Sequence, residues 1–375
     1  MKILILSEYF PSGKDLKITG GVEARNYFVS KHLSKNNKVT IISSSIHGQK
    51  EKETFSGINV IRVGKRRNYN ATSGSILERL IFLKEAIKTG ATLDIDIVEG
   101  TNFITHFIAK RISKSKKIPA VAWYPDVWIG SWIKNAGFYG LFGEILERFN
   151  LGQKFDAYIA ISNQTAKKLA RYVKKRVYII NCGVEKEKNI KKTKNSNEHS
   201  IICVSRLTKY KNIKTLMFAF ADLSLKLKNL SLTIVGTGPE LDNLKDLARE
   251  LKLSKNIQFY SSLSRTSLMN LYAASHVFSL PSIVEGFGIA TIEASSFGLP
   301  YVNANIPVQK EITKNGQGGF LVDPTSPLDY SEKFYQLFTD DKLYFKKSQD
   351  AVKLAKLYDW KKISAQTEKV YKSLL

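Results

Sequence analysis

The sequence predicts an α/β protein built from two doubly wound domains facing a cleft. Three observations carry this. At 375 residues the chain is long for one hydrophobic core and natural for two. Short apolar runs alternate with glycine-bearing loops and longer amphipathic runs, in the order strand, loop, helix, strand, and this order restarts in the second half. Between the two series, residues 187–199 lose all periodicity and are dense in Lys and Asn, which marks a linker. The domains are therefore 1–186 and 200–358. The amphipathic run 359–375, with no strand after it, is a terminal helix.

Met1 to Leu6 is apolar apart from one lysine and ends in Ser7-Glu8. That is the pattern of a buried parallel strand, and it is too short for a signal peptide. A loop with Gly20-Gly21 follows, then a helix from Val22 to Leu33 and the strand Val39 to Ile42, completing a βαβ unit. Gly20-Gly21 stands too far past the first strand for a dinucleotide fingerprint, yet a loop that opens onto a helix N-terminus can touch a phosphate. Residues 58–64 form another strand. Lys65-Arg66-Arg67 then make a basic turn ahead of a helix from Ser75 to Lys88 that is apolar over much of its circumference. This helix packs in the core or, with the basic cluster, presses on anionic lipid.

Asp94 and Asp96 fall on one face at the start of the next strand and read as solvated carboxylates, so no metal site is expected. The strand Ala120 to Trp123 runs into Tyr124-Pro125-Asp126 and a tryptophan-rich loop. Asp126 is the only carboxylate there: an acid/base group, an acceptor anchor or a turn former. Strand 157–161 ends at Ser162, which caps a helix from Thr165 to Tyr172. The strand Val177 to Ile180 closes the first series.

In the second series, strand 201–204 leads through Ser205 to Asn212 into a helix ending at Leu227. Strand 231–235 leads through Gly236-Thr237-Gly238-Pro239 into another helix. Strand 257–260, the helix Thr266 to Ala274 and the strand Val277 to Leu280 follow. The last strand feeds Glu285, the turn Gly286-Phe287-Gly288 and a helix carrying Glu293, eight residues beyond Glu285. Taken alone, Glu285 caps this helix and Glu293 is solvated, or both face a ligand.

Their company decides. Arg206, Lys211, Gly236, Gly238 and Glu285 all follow strands, and in a parallel sheet such ends converge on one edge. Arg206 and Lys211, with the helix N-terminus opened by Gly286, Phe287, Gly288 and Ile289, suit a diphosphate and the negative charge that grows as it departs. The carboxylates of Glu285 and Glu293 suit the hydroxyls of a sugar and a ribose. The ligand so described is a nucleotide-diphosphate sugar.

The net charge of +25, concentrated in the first half, attracts polyanions: nucleic acid, anionic lipid or phosphorylated substrates. A lysine-biased solvated surface is the plain alternative. Much of the charge is Lys, which weighs against base readout, and a nucleic-acid-binding protein leaves Glu285 and Glu293 without a role. No nucleic-acid partner is expected. Two cysteines in apolar company suit a reducing cytoplasm, and no apolar run is long enough to cross a bilayer.

Four runs, VSRLTKYKNIKTLMFAFADL, LTIVGTGPELDNL, LYAASHVFSLPSIVEGFGIATIEASSFGLP and GGFLVDPTSPLDYSEKF, resemble in order the retaining GT-B glycosyltransferases of the group 1 type, family 4. INCGVE at 180–185 is similar to that family's inter-domain turn, and Gly20-Gly21-Val22-Glu23 to its donor or acceptor loop. The resemblance implies that Arg206 and Lys211 hold the donor diphosphate, that Glu285 and the neighbouring amides meet the donor sugar, and that Glu293 meets the ribose. It implies transfer with retention by front-face attack, with neither metal nor cofactor, from a UDP- or GDP-sugar to an acceptor sugar or lipid-linked glycan. Asp126 joins Glu285, Arg206 and Lys211 as a catalytic candidate. The terminal helix is expected to cross back onto the first domain. A sugar-nucleotide epimerase or a soluble disaccharide synthase of the same fold is the alternative. A cytoplasmic protein in contact with an anionic inner membrane face is expected. One departure stands out: Pro125-Asp126 replaces the family's His-Asp, so the histidine beside the transferred sugar is missing, and His106, within a helix, is a poor substitute.

Overall fold

A computed structural model of the chain describes residues 1–13, 16–68, 76–133, 137, 140–185, 198–261 and 263–375. The expected linker, apart from Glu198 and His199, and the expected helix start at Ser75 lie outside these described residues. The chain divides into two compact units, Met1–Cys182 with Trp360–Leu375, and Gly183–Asp359.

The first unit is an eight-stranded sheet in the order β3-β4-β2-β1-β5-β6-β7-β8. Its strands are β1 (Lys2–Leu6), β2 (Lys38–Ile46), β3 (Lys52–Phe55), β4 (Ile58–Arg67), β5 (Ile97–Gly100), β6 (Ala120–Tyr124), β7 (Ala157–Ala160) and β8 (Val177–Ile179). All neighbours run parallel except β3, which folds back on β4. The helices are α1 (Gly21–Leu33), α2 (Ile76–Thr92), α3 (Phe103–Lys116), α4 (Gly140–Gly152) and α5 (Asn163–Leu169). Apolar runs such as Ile3 to Leu6 and Ala120 to Tyr124 are buried along their whole length, as strands covered on both faces must be. Ser162 caps α5 by accepting from the Thr165 N–H at 3.2 Å.

Two expectations are corrected here. Lys65-Arg66-Arg67 is not a turn: β4 runs on through Arg67. Arg67 is buried, because its Nη2 donates to Glu8 Oε1 at 3.1 Å and to Ser44 Oγ at 2.7 Å, so it is unavailable to lipid. The helix after it is less enclosed than its composition suggested. Only Phe82, Ala86 and Gly90 of α2 are buried, and Ile76, Leu77 and Leu80 stand in solvent.

The terminal helix α13 (Trp360–Lys372, numbered after the second unit's helices) belongs to this first unit. Its Trp360 ring stacks on Phe28 of α1 at 5.4 Å between centroids, and Asn37 Nδ2 donates to Glu368 Oε1 at 3.0 Å. Tyr371 is fully buried, so the apolar stripe of this helix has a home without a strand of its own.

The second unit is a six-stranded sheet in the order β11-β10-β9-β12-β13-β14, parallel throughout. Its strands are β9 (His199–Val204), β10 (Leu230–Val235), β11 (Ile257–Tyr260), β12 (Val277–Leu280), β13 (Tyr301–Ala304) and β14 (Gly319–Val322). Around them lie α6 (Ile213–Lys226), α7 (Leu241–Glu250), α8 (Arg265–Ala274), α9 (Ile289–Ser296), α10 (Pro307–Ile312), α11 (Pro327–Thr339) and α12 (Asp341–Ala355). The chain winds outward from β9 to β10 and β11, then returns to the other side of β9 with β12. That reversal opens a crevice at the carboxyl ends of β9 and β12, the place where open α/β sheets bind ligands.

Candidate active site

The candidate donor residues of the second unit gather at this reversal. Arg206 and Lys211 follow β9, Gly236 and Gly238 follow β10, and Glu285 follows β12, so three adjacent strands deliver them to one edge. Lys211 Nζ is paired with Glu285 Oε1, and both side chains are about nine-tenths buried. Glu285 therefore does not cap the following helix; its N-cap is Gly288, and no side chain caps it. Arg206 Nη2 donates to the Tyr210 hydroxyl at 2.7 Å, and Lys211 lies over the Tyr210 ring at 5.5 Å. Tyr210 thus contacts both cations. The Ile283 N–H donates to the Tyr210 carbonyl at 2.9 Å, tying the loop after β9 to the loop after β12.

The glycines are required by close approach. A Cβ on Gly236 would lie 1.8 Å from the Ser205 carbonyl oxygen, and one on Gly238 would lie 2.2 Å from that of Leu207. The loops after β9 and β10 are therefore in backbone contact, sealed by Leu207 N–H to Thr237 O at 2.8 Å. Gly288 sits in the left-handed region (φ 90°), where a side chain is disfavoured. Past it, the first turn of α9 leaves backbone N–H groups free of helical partners at the crevice. Phe287 is buried, its ring 5.7 Å from that of Tyr358, and anchors the turn. Asn303 accepts from the Leu280 N–H at 2.8 Å and donates to Thr291 Oγ1 at 3.0 Å, which fixes the end of β12 against α9.

Glu293, on α9, is buried rather than solvated. Its Oε1 pairs with Arg265 Nη1 of α8, and Tyr272 Oη donates to its Oε2 at 3.4 Å. Sequence reasoning missed Arg265 and Tyr210, because neither the start of a helix nor a lone tyrosine in a lysine-rich loop carries a pattern.

In the first unit the strand order reverses between β1 and β5. Gly20, the N-cap of α1, and Gly21 follow β1. Asp126 follows β6. It is held by the Lys168 ammonium at 2.7 Å and the Val127 N–H at 2.8 Å, while burial pushes its carboxyl above the usual range against the pull of Lys168. Asp94 and Asp96 lie at the opposite ends of the strands, tied to Lys2. His106 is buried within α3, its Nε2 2.9 Å from the Trp123 carbonyl, and burial lowers its pKa to about 4.

Glu147 of α4 is a group the sequence did not flag. It accepts from the Trp132 indole N–H at 2.6 Å and the Trp128 N–H at 3.2 Å, latching the tryptophan loop that follows Asp126. Burial raises its pKa from 4.5 to about 7. Between those values only the unfolded chain loses the proton, so stability falls as pH rises through this window and levels off above it. Glu147→Gln is expected to flatten that slope; urea unfolding from pH 4.5 to 7, followed by tryptophan fluorescence, checks it, and an unchanged slope contradicts it.

Comparison with known proteins matches both halves. Residues 19–188 match the Glycosyltransferase Family 4 model, and residues 184–356 match the model for glycosyl transferases group 1. A D-inositol 3-phosphate glycosyltransferase of Corynebacterium glutamicum is 30% identical over 174 residues, 45% of this chain and 42% of that protein, so the match spans less than half of this curated relative. Sucrose-phosphate synthase from Thermosynechococcus elongatus superposes with a TM-score of 0.85 at 17% identity, covering 100% of this chain and 99% of that one. Anabaena Alr3699/HepE, solved in complex with UDP-glucose, gives 0.74 at 20% identity with full coverage of both. Two doubly wound, Rossmann-like units of this kind define the GT-B class of glycosyltransferases. The chain belongs to the group 1, family 4 glycosyltransferases.

Proposed function

We propose that the chain transfers a hexosyl group from a UDP- or GDP-sugar to an acceptor hydroxyl with retention of configuration, using no metal and no cofactor. The observation that carries this is the buried Lys211–Glu285 pair at the strand reversal, beside Arg206. A diphosphate at this edge gives the buried cation a use beyond its pairing with Glu285. On entry the diphosphate takes up the Lys211 and Arg206 donors, and Glu285 turns to a sugar hydroxyl. Glu293, held by Arg265, accepts from the ribose. As the bond from the anomeric carbon to the phosphate oxygen breaks, the acceptor oxygen bonds on the same face and its proton passes to the departing phosphate. The two cations stabilise the charge left on that phosphate.

Acceptor binding is assigned to the carboxyl ends of the first unit's strands, where Gly20-Gly21 and Asp126 lie, and the acceptor is a sugar or a lipid-linked glycan. Cys182 and Cys203 are both free thiols, which suits a cytoplasmic site of action. Among the described residues no helix is long and apolar enough to cross a membrane, so contact with an anionic inner membrane face is peripheral. Incubation with UDP-, GDP- and ADP-sugars, with and without sugar acceptors, tests the reading: a new α- or β-linked product matching the donor's anomer supports it. Interconversion of donor alone points to an epimerase instead.

A further inference from the structure

The first unit presents an apolar face that neither its core nor the donor constellation uses. On α4, Leu141, Phe142, Ile145 and Phe149 are 41, 59, 59 and 51% exposed. They recur at helical spacing along one side, while Gly143, Glu147, Asn150 and Leu151 on the other side are buried. The crossovers β4 to β5, β5 to β6 and β6 to β7 step in one direction across the sheet, so right-handed connections place α2, α3 and α4 in one layer. α3 packs against both of its neighbours. Leu77 and Leu80 of α2, 66 and 56% exposed, extend the apolar surface on the far side of α3.

Exposed cations stand on the same helices. Arg111 and Lys114 are exposed on α3, Lys84 and Lys88 on α2, and Lys154 just after α4; Arg148 on α4 is exposed and paired with Glu144. Arg111 lies 5.1 Å above the Phe107 ring, which is itself 6.0 Å from Phe149. The carboxylates on these helices are fewer: Glu144 is engaged by the Gly130 N–H and by Arg148, Glu147 is buried, and Glu78 and Glu85 are half-buried.

We propose that this face seats the protein on a bilayer containing anionic phospholipid, with α4 lying in the headgroup boundary. Its bulky side chains enter the acyl edge, and the Lys and Arg stems lie along them with their charges at lipid phosphates. A second copy on the same face would set these cations against themselves, which favours lipid over self-association. The inference rests on the proposed peripheral membrane contact and assigns it to α4, in place of the buried Arg67.

Flotation of the full chain with vesicles tests it. The expected result is binding to phosphatidylglycerol-containing vesicles and not to pure phosphatidylcholine. The double variant Phe142→Ser, Phe149→Ser is expected to lower the vesicle partition coefficient about tenfold or more with a melting temperature within a few degrees of the wild type, since both side chains are more than half exposed. Arg111→Glu with Lys114→Glu, which keeps the apolar row, is expected to abolish the preference for anionic lipid. Wild-type binding that both double variants retain overturns the α4 assignment alone. No binding by the wild type overturns the membrane contact as well, leaving sugar transfer to be judged by product formation. A wild-type dimer that the serine variant dissociates shows a protein interface and also overturns the proposal.

Discussion

Glu285→Gln is expected to lower the rate of sugar transfer about 10²–10³-fold, the scale set by loss of one positioned polar contact at a reacting centre. Glutamine is the informative substitution because of what Glu285 faces. Its carboxylate neutralises Lys211 in a site where both side chains are about nine-tenths buried. Glu285→Ala strands that ammonium, and breaking a buried pair typically costs about 3–5 kcal/mol. A loss of activity in the alanine variant would then mix chemistry with stability. Glutamine keeps the volume and an oxygen that accepts from Lys211 while leaving its charge uncompensated, so its melting temperature should fall less than that of the alanine variant. Product formation and thermal unfolding on the same preparations separate the two effects. A glutamine variant with wild-type turnover removes Glu285 from the reaction.

The second large effect is expected at Gly238. Its backbone is so close to the Leu207 carbonyl that a Cβ would sit 2.2 Å from the oxygen. That carbonyl also accepts from the Glu240 N–H at 3.0 Å, at the start of α7. Neither partner is a flexible side-chain tip, so Gly238→Ala must part the loops after β9 and β10, at a cost of about 1–3 kcal/mol. The loop that moves carries Arg206. Nucleoside diphosphate affinity should fall at least about tenfold, as one displaced charge-assisted contact of about 1.5–3 kcal/mol implies, with a lowered melting temperature. An unchanged affinity would mean that the contact between these loops does not set the position of Arg206.

Much of the fold was legible because doubly wound sheets announce themselves locally. Val277 to Leu280, flanked by a helix and a glycine turn, reads as a buried strand from composition alone, and it is one. What escaped depended on partners distant in sequence. Lys65 to Arg67 looked like a turn because three cations rarely sit in a strand. The reason they do is Glu8, 59 residues away from Arg67, which neutralises the buried guanidinium. The edge strand β3, KETF, alternates charge and apolarity too briefly to stand out. It is held by antiparallel pairing with β4.

The candidate site shows the same division. Each of Arg206, Lys211, Gly236, Gly238 and Glu285 was visible as a polar or glycine position after a strand. Their mutual arrangement was not: Lys211 and Glu285 occupy each other, and Tyr210 touches both cations. The helix at Gly288 needed no carboxylate cap, because a left-handed glycine already sets its start. Glu293 was legible as a ribose acceptor once read in company, but not its burial, which Arg265, 28 residues earlier, allows by supplying the opposite charge. On the first unit, Pro125-Asp126 remains the point where the family pattern and this chain part. Asp126 there is engaged by Lys168.

In the proposed donor site, at the carboxyl edge of β9 and β12, Glu285 holds the Lys211 cation ready for a diphosphate. Calorimetric titration of UDP and GDP into the wild type and into Lys211→Met tests it most directly. Saturable binding of one nucleotide by the wild type is expected, with an affinity at least about tenfold lower in the variant, in keeping with one charge-assisted contact of about 1.5–3 kcal/mol. Equal affinities in the two proteins, or no binding of either nucleotide to the wild type, would contradict it.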